Sequence, residues 1–274
     1  MTAPKLAEST PQGRFYRHPG RHGESMNPSI TNIKDMKSIP LAGWASRKCA
    51  EYTAEHIAAL SALSPAEIKD LVRGAPWRAD PDKPNEAGIG DIVHDWIDSY
   101  VKTGEQPNTE VYYDRDGHEH AAPITAKRMW RQFGGVVERY SPEFIESEFT
   151  VWSDRYGYAG TADLAAYIGP QRYTTLIDNK TGKNPYPDMA MQLGALAFAD
   201  FILDEDGTER PIPEFDHFAI LHIRPMSATL VPIPQEAIDA WFRAFLGLKT
   251  VFDIVHEWED KTLLYAPKVE VRVR

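Results

Sequence analysis

Two aspartates and a lysine carry the most legible chemistry in this sequence. Asp163 closes Gly157-Tyr158-Ala159-Gly160-Thr161-Ala162-Asp163, and Asp178 and Lys180 lie in Leu176-Ile177-Asp178-Asn179-Lys180-Thr181-Gly182-Lys183. The two runs, 158–168 and 172–180, are rich in aromatic and β-branched residues and are separated by Gly169-Pro170, so they read as a hairpin. If Gly169 to Arg172 makes the connection, Ile168 faces Tyr173, and the same register brings Asp163 opposite Asp178. A two-residue turn at Pro170-Gln171 keeps that pairing, whereas a bulge would shift it. Facing side chains lie about 5 Å apart, where like charges repel, so something must compensate them. Lys180, two residues beyond Asp178, falls on the same face. Carboxylates beside an ammonium suit a hard divalent cation, which prefers oxygen ligands, and equally suit a surface charge cluster. Spacing alone leaves both open.

The elements that must position this cluster can be read outward from it. Residues 1 to 27 are rich in Pro, Gly, Ser, Arg and His, with Arg14, Arg17 and Arg21 making them locally basic, and read as a mobile arm without chemistry. From Ser29 the spacing of Ile33, Met36, Trp44, Cys49 and Tyr52 predicts helix to about residue 60. Ser64-Pro65-Ala66-Glu67 then opens another. A proline-rich loop is expected from Gly74 to Glu86. Helices follow at 87–103, with Ile89, Val93, Trp96, Ile97 and Tyr100 on one face, and at about 123–140. In the second, Lys127, Arg128 and Arg131 are either a solvated surface or phosphate contacts. Strands are expected at 144–152, 158–168 and 172–178, a helix at 187–203, strands at 217–223 and 228–232, and a final amphipathic helix at 234–259 before a basic tail. There is no internal repeat. The reading is one α/β domain over 28–274: a mainly helical part (28–140), a sheet with its following helix (141–232), and a C-terminal helix and tail (233–274).

Composition bounds what this cluster can serve. The 274 residues, 42% hydrophobic and 26% charged, are those of a globular chain able to bury a core. A net charge of -10 argues against sheathing nucleic acid or membrane by bulk positive charge, so a polyanion must be handled locally. One cysteine, Cys49, excludes disulfide frameworks, cysteine-rich zinc sites and four-cysteine iron–sulfur clusters; on an apolar helical face it reads as an inert core thiol. No apolar run reaches membrane-spanning length and no signal-type segment opens the chain. A cytoplasmic protein with no membrane partner is expected.

Joined at hairpin distance, the G-T-A-D element and the D-N-K-T-G-K element resemble the PD-(D/E)XK nuclease superfamily, and within it the RecB-like branch that includes phage exonucleases. Gly90-Asp91-Ile92-Val93-His94 is similar to that branch's histidine-bearing helix, although His94 alone reads as a core histidine. Gln192-Leu193 is similar to its glutamine motif, with Leu196 where a tyrosine is usual. Glu148 matches a position that is often acidic, and reads equally as an exposed strand residue. Pro28 to Asn32 followed by Leu41 to Ala45 resembles the opening of phage exonucleases. In all, the resemblance spans roughly residues 28 to 232. It departs from the iron–sulfur members, whose four cysteines are missing.

The resemblance implies a restriction-endonuclease-like core, a central mixed sheet flanked by helices, and a metal-dependent DNA exonuclease of recombination, repair or degradation. It implies Asp163, Asp178 and Lys180 as catalytic residues, with Mg²⁺ or Mn²⁺ held by Asp163, Asp178, His94 and the Asn179 carbonyl, and no iron–sulfur cluster. Gln192 and Lys183 would touch DNA, and Lys127, Arg128 and Arg131 would help to grip it. A structure-specific endonuclease, or a non-catalytic DNA-binding accessory protein, are the other functions to weigh. No ATP-binding loop is present, so a helicase or a single-strand annealing protein would be a separate partner.

Overall fold

In the computed structural model, which describes residues 5–10, 13–21, 26–36, 42–74, 86–114, 117–186 and 188–258, the chain opens with strands β1 (Ala7–Thr10), β2 (Gly13–Arg17) and β3 (Met26–Pro28). They form a small antiparallel sheet in the order β1-β2-β3. This differs from the mobile arm that composition suggests. Tyr16 and His18 are only 2% and 3% exposed. Tyr16 belongs to a cluster with Trp152, Ala159 and Leu203, and the His18 ring meets Trp152 edge-on. Arg21 bridges Asp154 at 2.7 Å and Glu209 at 2.9 Å. The anchoring aromatics are far away in sequence, so local composition carries no sign of them.

Helices dominate the next stretch. In α1 (Ile30–Lys34), Ser29 is the N-cap and accepts the Asn32 N–H. It is followed by α2 (Ala42–Leu60) and α3 (Pro65–Gly74). The Ser64 start forms as a capping box: Ser64 donates its N–H and hydroxyl to Glu67 Oε2 at 2.9 and 2.6 Å, and the Glu67 N–H returns to Ser64 Oγ at 3.4 Å. The loop expected at 74–86 lies outside the described residues except at its ends. After α4 (Glu86–Thr103) comes a small hairpin without a counterpart in the sequence reading, β4 (Val111–Tyr113) and β5 (Glu119–Ala121), and then α5 (Ile124–Tyr140).

The remaining elements are β6 (Glu143–Ser153), β7 (Tyr158–Ile168), β8 (Tyr173–Lys180), α6 (Met189–Ala197), β9 (Phe201–Leu203), β10 (Glu209–Arg210), β11 (His217–Arg224), β12 (Ser227–Ile233) and α7 (Gln235–Trp258). Seven of these strands form one mixed sheet in the order β10-β9-β6-β7-β8-β11-β12, in which only β8 and β11 run parallel. The helix expected over 187–203 stops at Ala197. Its apolar run continues into Phe201–Leu203, but these residues return as a strand, pairing Phe201 with Trp152 and Ile202 with Val151. The basic tail lies outside the described residues.

Both faces of the sheet are covered. On one, Ala165 and Leu176 pack with residues of α1, α6 and α7 such as Ile33, Leu193 and Phe245. On the other, Leu164 and Ile177 pack with Val93 and Trp96 of α4 and Phe133 of α5. Burial on both faces explains why Leu164 to Ile168 of β7 and Leu176-Ile177 of β8 are apolar at successive positions rather than alternating. The chain is therefore an α/β fold built on a seven-stranded mixed sheet.

Candidate metal centre

Pairing of β7 with β8 runs from Ile168–Tyr173 to Leu164–Ile177, the register that the hairpin length demands. The next facing positions are Asp163 and Asp178, one step beyond the last paired residues. There the Asp163 carboxylate accepts the Asn179 N–H at 2.7 Å, so an amide of β8 fixes its orientation. On the other side of β7, Ser147 pairs with Leu164 and Phe149 with Ala162, which leaves Glu148 opposite Asp163. A row of three acids, Glu148, Asp163 and Asp178, thus crosses three adjacent strands. Glu148 has φ 49, left-handed backbone inside a strand. Such a conformation costs about 1–3 kcal/mol in a residue with a side chain and persists where the surroundings enforce it.

The fourth contributor is α4. Gly90 packs against the end of β8 so closely that a Cβ on it would lie 2.5 Å from Thr181 Oγ1. One turn later His94 reaches the sheet, its Nδ1 3.8 Å from Asp163 Oδ2. One ligand atom from each of His94, Glu148 and Asp163 can be chosen so that all three lie within 4.8 Å of one another. One nitrogen and two carboxylate oxygens at this spacing are a donor set for a divalent cation. Burial, then the charges of Asp163, Asp98 and Asp95, push Glu148 up to about 8. Burial also raises Asp95, on the next position of α4 after His94.

Asp178 stands beside Lys180, as the spacing predicts, but is buried and does not line the cleft. Its side chain is 1% exposed, its Oδ2 lies 2.6 Å from Lys180 Nζ, and it is not part of the three-residue donor set; Glu148 is. Burial raises the Asp178 carboxyl, and the Lys180 charge opposes that rise. For Lys180, burial favours the neutral amine, but the charges of Asp178 and Asp163 outweigh it and hold the group above its usual range, as an ammonium. Lys180 Nζ also donates to the Asn179 carbonyl at 3.3 Å, so that oxygen is engaged by the lysine.

His94, Glu148, Asp163 and Lys180 line a cleft of about 240 Å³, from which the buried Asp178 and Asn179 are set back. Gln192 lines it too, its Oε1 accepting from Lys34 Nζ at 3.2 Å. Leu196 occupies the lining where the resemblance has a tyrosine, and the tyrosine of this cleft is Tyr16, from β2. Lys183 is exposed and does not line the cleft. Nor do Lys127, Arg128 and Arg131; Lys127 is ion-paired with Glu110. Cys49 is half-buried and donates to the Val72 carbonyl at 3.2 Å. Arg14, which the sequence reading counts only as part of a basic arm, and Tyr16, which it does not single out, are cleft residues. Their only local signal is Gly13, whose φ of 110 permits the turn into β2.

No family model matches the chain, and no curated protein matches it.

Proposed function

We propose that the chain is a metal-dependent deoxyribonuclease that hydrolyses phosphodiester bonds from DNA ends, on a restriction-endonuclease-like core. The observation that carries the reading is the convergence of His94, Glu148 and Asp163 within 4.8 Å, in an open cleft with Lys180 beside them. The carboxylate oxygens of Glu148 and Asp163 suit Mg²⁺ or Mn²⁺, and the His94 imidazole tilts the preference toward Mn²⁺. Such a cation, when bound, neutralises phosphoryl charge and lowers the pKa of water. Asp163 is held by the Asn179 amide, and so meets a ligand without first reorganising. Lys180 enters as an ammonium and therefore donates: it can orient water or steady a phosphoryl oxygen, while Asp178, at 2.6 Å, positions it from beneath.

The test is cleavage of end-labelled single- and double-stranded DNA across Mg²⁺, Mn²⁺ and EDTA, with closed circular DNA alongside. Cleavage of linear DNA with Mn²⁺, its loss with EDTA and in Asp163→Asn, and intact circles are expected. Cutting of closed circles would assign an endonuclease instead. Tight DNA binding without turnover under any divalent cation would reject catalysis.

A further inference from the structure

The three arginines of the N-terminal segment have separate fates. Arg17 is ion-paired with Glu8 at 2.5 Å, and Arg21 with Asp154 and Glu209. Arg14 has no carboxylate ion pair among the described residues, and it lines the cleft that holds Asp163 and Lys180. Its backbone is clamped. The Arg14 N–H donates to Asn32 Oδ1 at 3.1 Å, and its carbonyl accepts from Asn32 Nδ2 at 2.7 Å and from the Ser29 N–H at 3.0 Å. A Cβ at position 13 would lie 2.5 Å from Asn32 Nδ2, so glycine there is what allows the clamp. Two residues along β2, on the same side of the strand, the Tyr16 hydroxyl lies 2.9 Å from Thr161 Oγ1. Thr161 precedes Asp163 by two positions on β7 and lines the same cleft. The charge of Arg14 acts directly on the Tyr16 hydroxyl, as does that of Glu148. Arg14 thus shares one cleft with Tyr16 and Thr161 and with the acidic residues Glu148 and Asp163.

We propose that Arg14 is a substrate-binding residue whose guanidinium holds the non-bridging oxygens of a DNA backbone phosphate in the cleft beside His94, Glu148 and Asp163. The inference rests on the nuclease reading and names the group that grips its substrate. A planar guanidinium matches two phosphate oxygens at once, which a lysine cannot. In a chain of net charge -10, a guanidinium without a carboxylate ion pair among the described residues gives a polyanion a local attraction that bulk charge does not. The cleft, at about 240 Å³, is smaller than the roughly 300–1,000 Å³ of pockets that engulf a whole ligand. It takes one backbone phosphate presented at its mouth.

The test compares wild type with Arg14→Gln and Arg14→Lys. A labelled single-stranded oligonucleotide is bound across a NaCl series, and Mn²⁺-dependent cleavage is followed alongside. Arg14→Gln is expected to weaken DNA binding about tenfold. It should also lower the slope of log affinity against log salt by roughly 0.7, the value of one single-strand phosphate contact. Arg14→Lys should restore the slope and only part of the affinity, while Mn²⁺ affinity and thermal midpoint stay at wild-type values in both. Unchanged affinity and slope in Arg14→Gln would overturn the proposal. So would a loss that tracks a fallen thermal midpoint and that lysine does not repair. Because binding is read without turnover, an inactive wild type that still loses this slope on Arg14→Gln would reject the nuclease reading and leave the phosphate contact standing.

Discussion

Glu148 concentrates the electrostatics of the site into one proton. In the unfolded chain it titrates near 4.5, and in the fold burial and neighbouring acids raise it to about 8. The folded state thus holds the proton more tightly. Its stabilising contribution is complete below about 4.5 and is lost as pH rises through about 8, so the metal-free protein should weaken across that window. A cation must displace the same proton. Mn²⁺ affinity should therefore rise with pH and level off near 8, and calorimetry at about pH 6.5 in buffers of different ionisation enthalpy should show close to one proton released, lost in Glu148→Gln. The Asp178–Lys180 pair makes a second prediction. Lys180→Met leaves a buried carboxylate without its cation and should cost about 1–3 kcal/mol by urea denaturation. Adding Asp178→Asn should recover much of that stability but no cleavage. The facing of Asp163 and Asp178 with Lys180 beside them was legible in sequence because hairpin register depends only on counting. The place of Glu148 in the candidate donor set was less legible, because it depends on how β6 registers with β7 across a bulge and on a left-handed backbone unusual for its residue type.

Among the elements, the meeting of α4 with the end of β8 sets where His94 sits. Gly90→Ala would put a methyl 2.5 Å from Thr181 Oγ1, a clash expected to cost about 1–3 kcal/mol and to weaken Mn²⁺ binding. In a Thr181→Ala background that oxygen is gone, and the same change should be neutral or stabilising by up to about 1 kcal/mol through helix propensity. A double-mutant cycle by chemical denaturation reads the difference; additive effects would mean that the close approach is not limiting. The helices at 87–103 and 123–140 and the three long strands before α6 were legible because their periodicities differ. The helix expected over 187–203 was not, since apolar residues continue past Ala197 and nothing in that run marks where a helix becomes an edge-side strand. Strands β1 to β5, β9 and β10 are at most five residues long, too short to show alternation.

For the whole molecule, charge and cation act together. A divalent ion that binds the folded centre and not the unfolded chain stabilises it by about 2.7 kcal/mol at a hundredfold excess over Kd. Mn²⁺ should therefore raise the thermal midpoint of wild type by several degrees and leave Asp163→Asn unmoved, a difference that differential scanning fluorimetry detects. The α/β class was legible from the sequence as a whole, whereas the packed N-terminal sheet was not, because its anchors, Trp152 and Thr161, lie far along the chain. That distance has a consequence for synthesis. Tyr16 and Thr161 are 145 residues apart, so on the ribosome β2 emerges long before the strand that receives it exists. During that interval Tyr16 and Phe15 stay exposed to other chains and to chaperones. Arg14 reaches its cleft only once β7 has been made, so a chain interrupted earlier carries no assembled cleft.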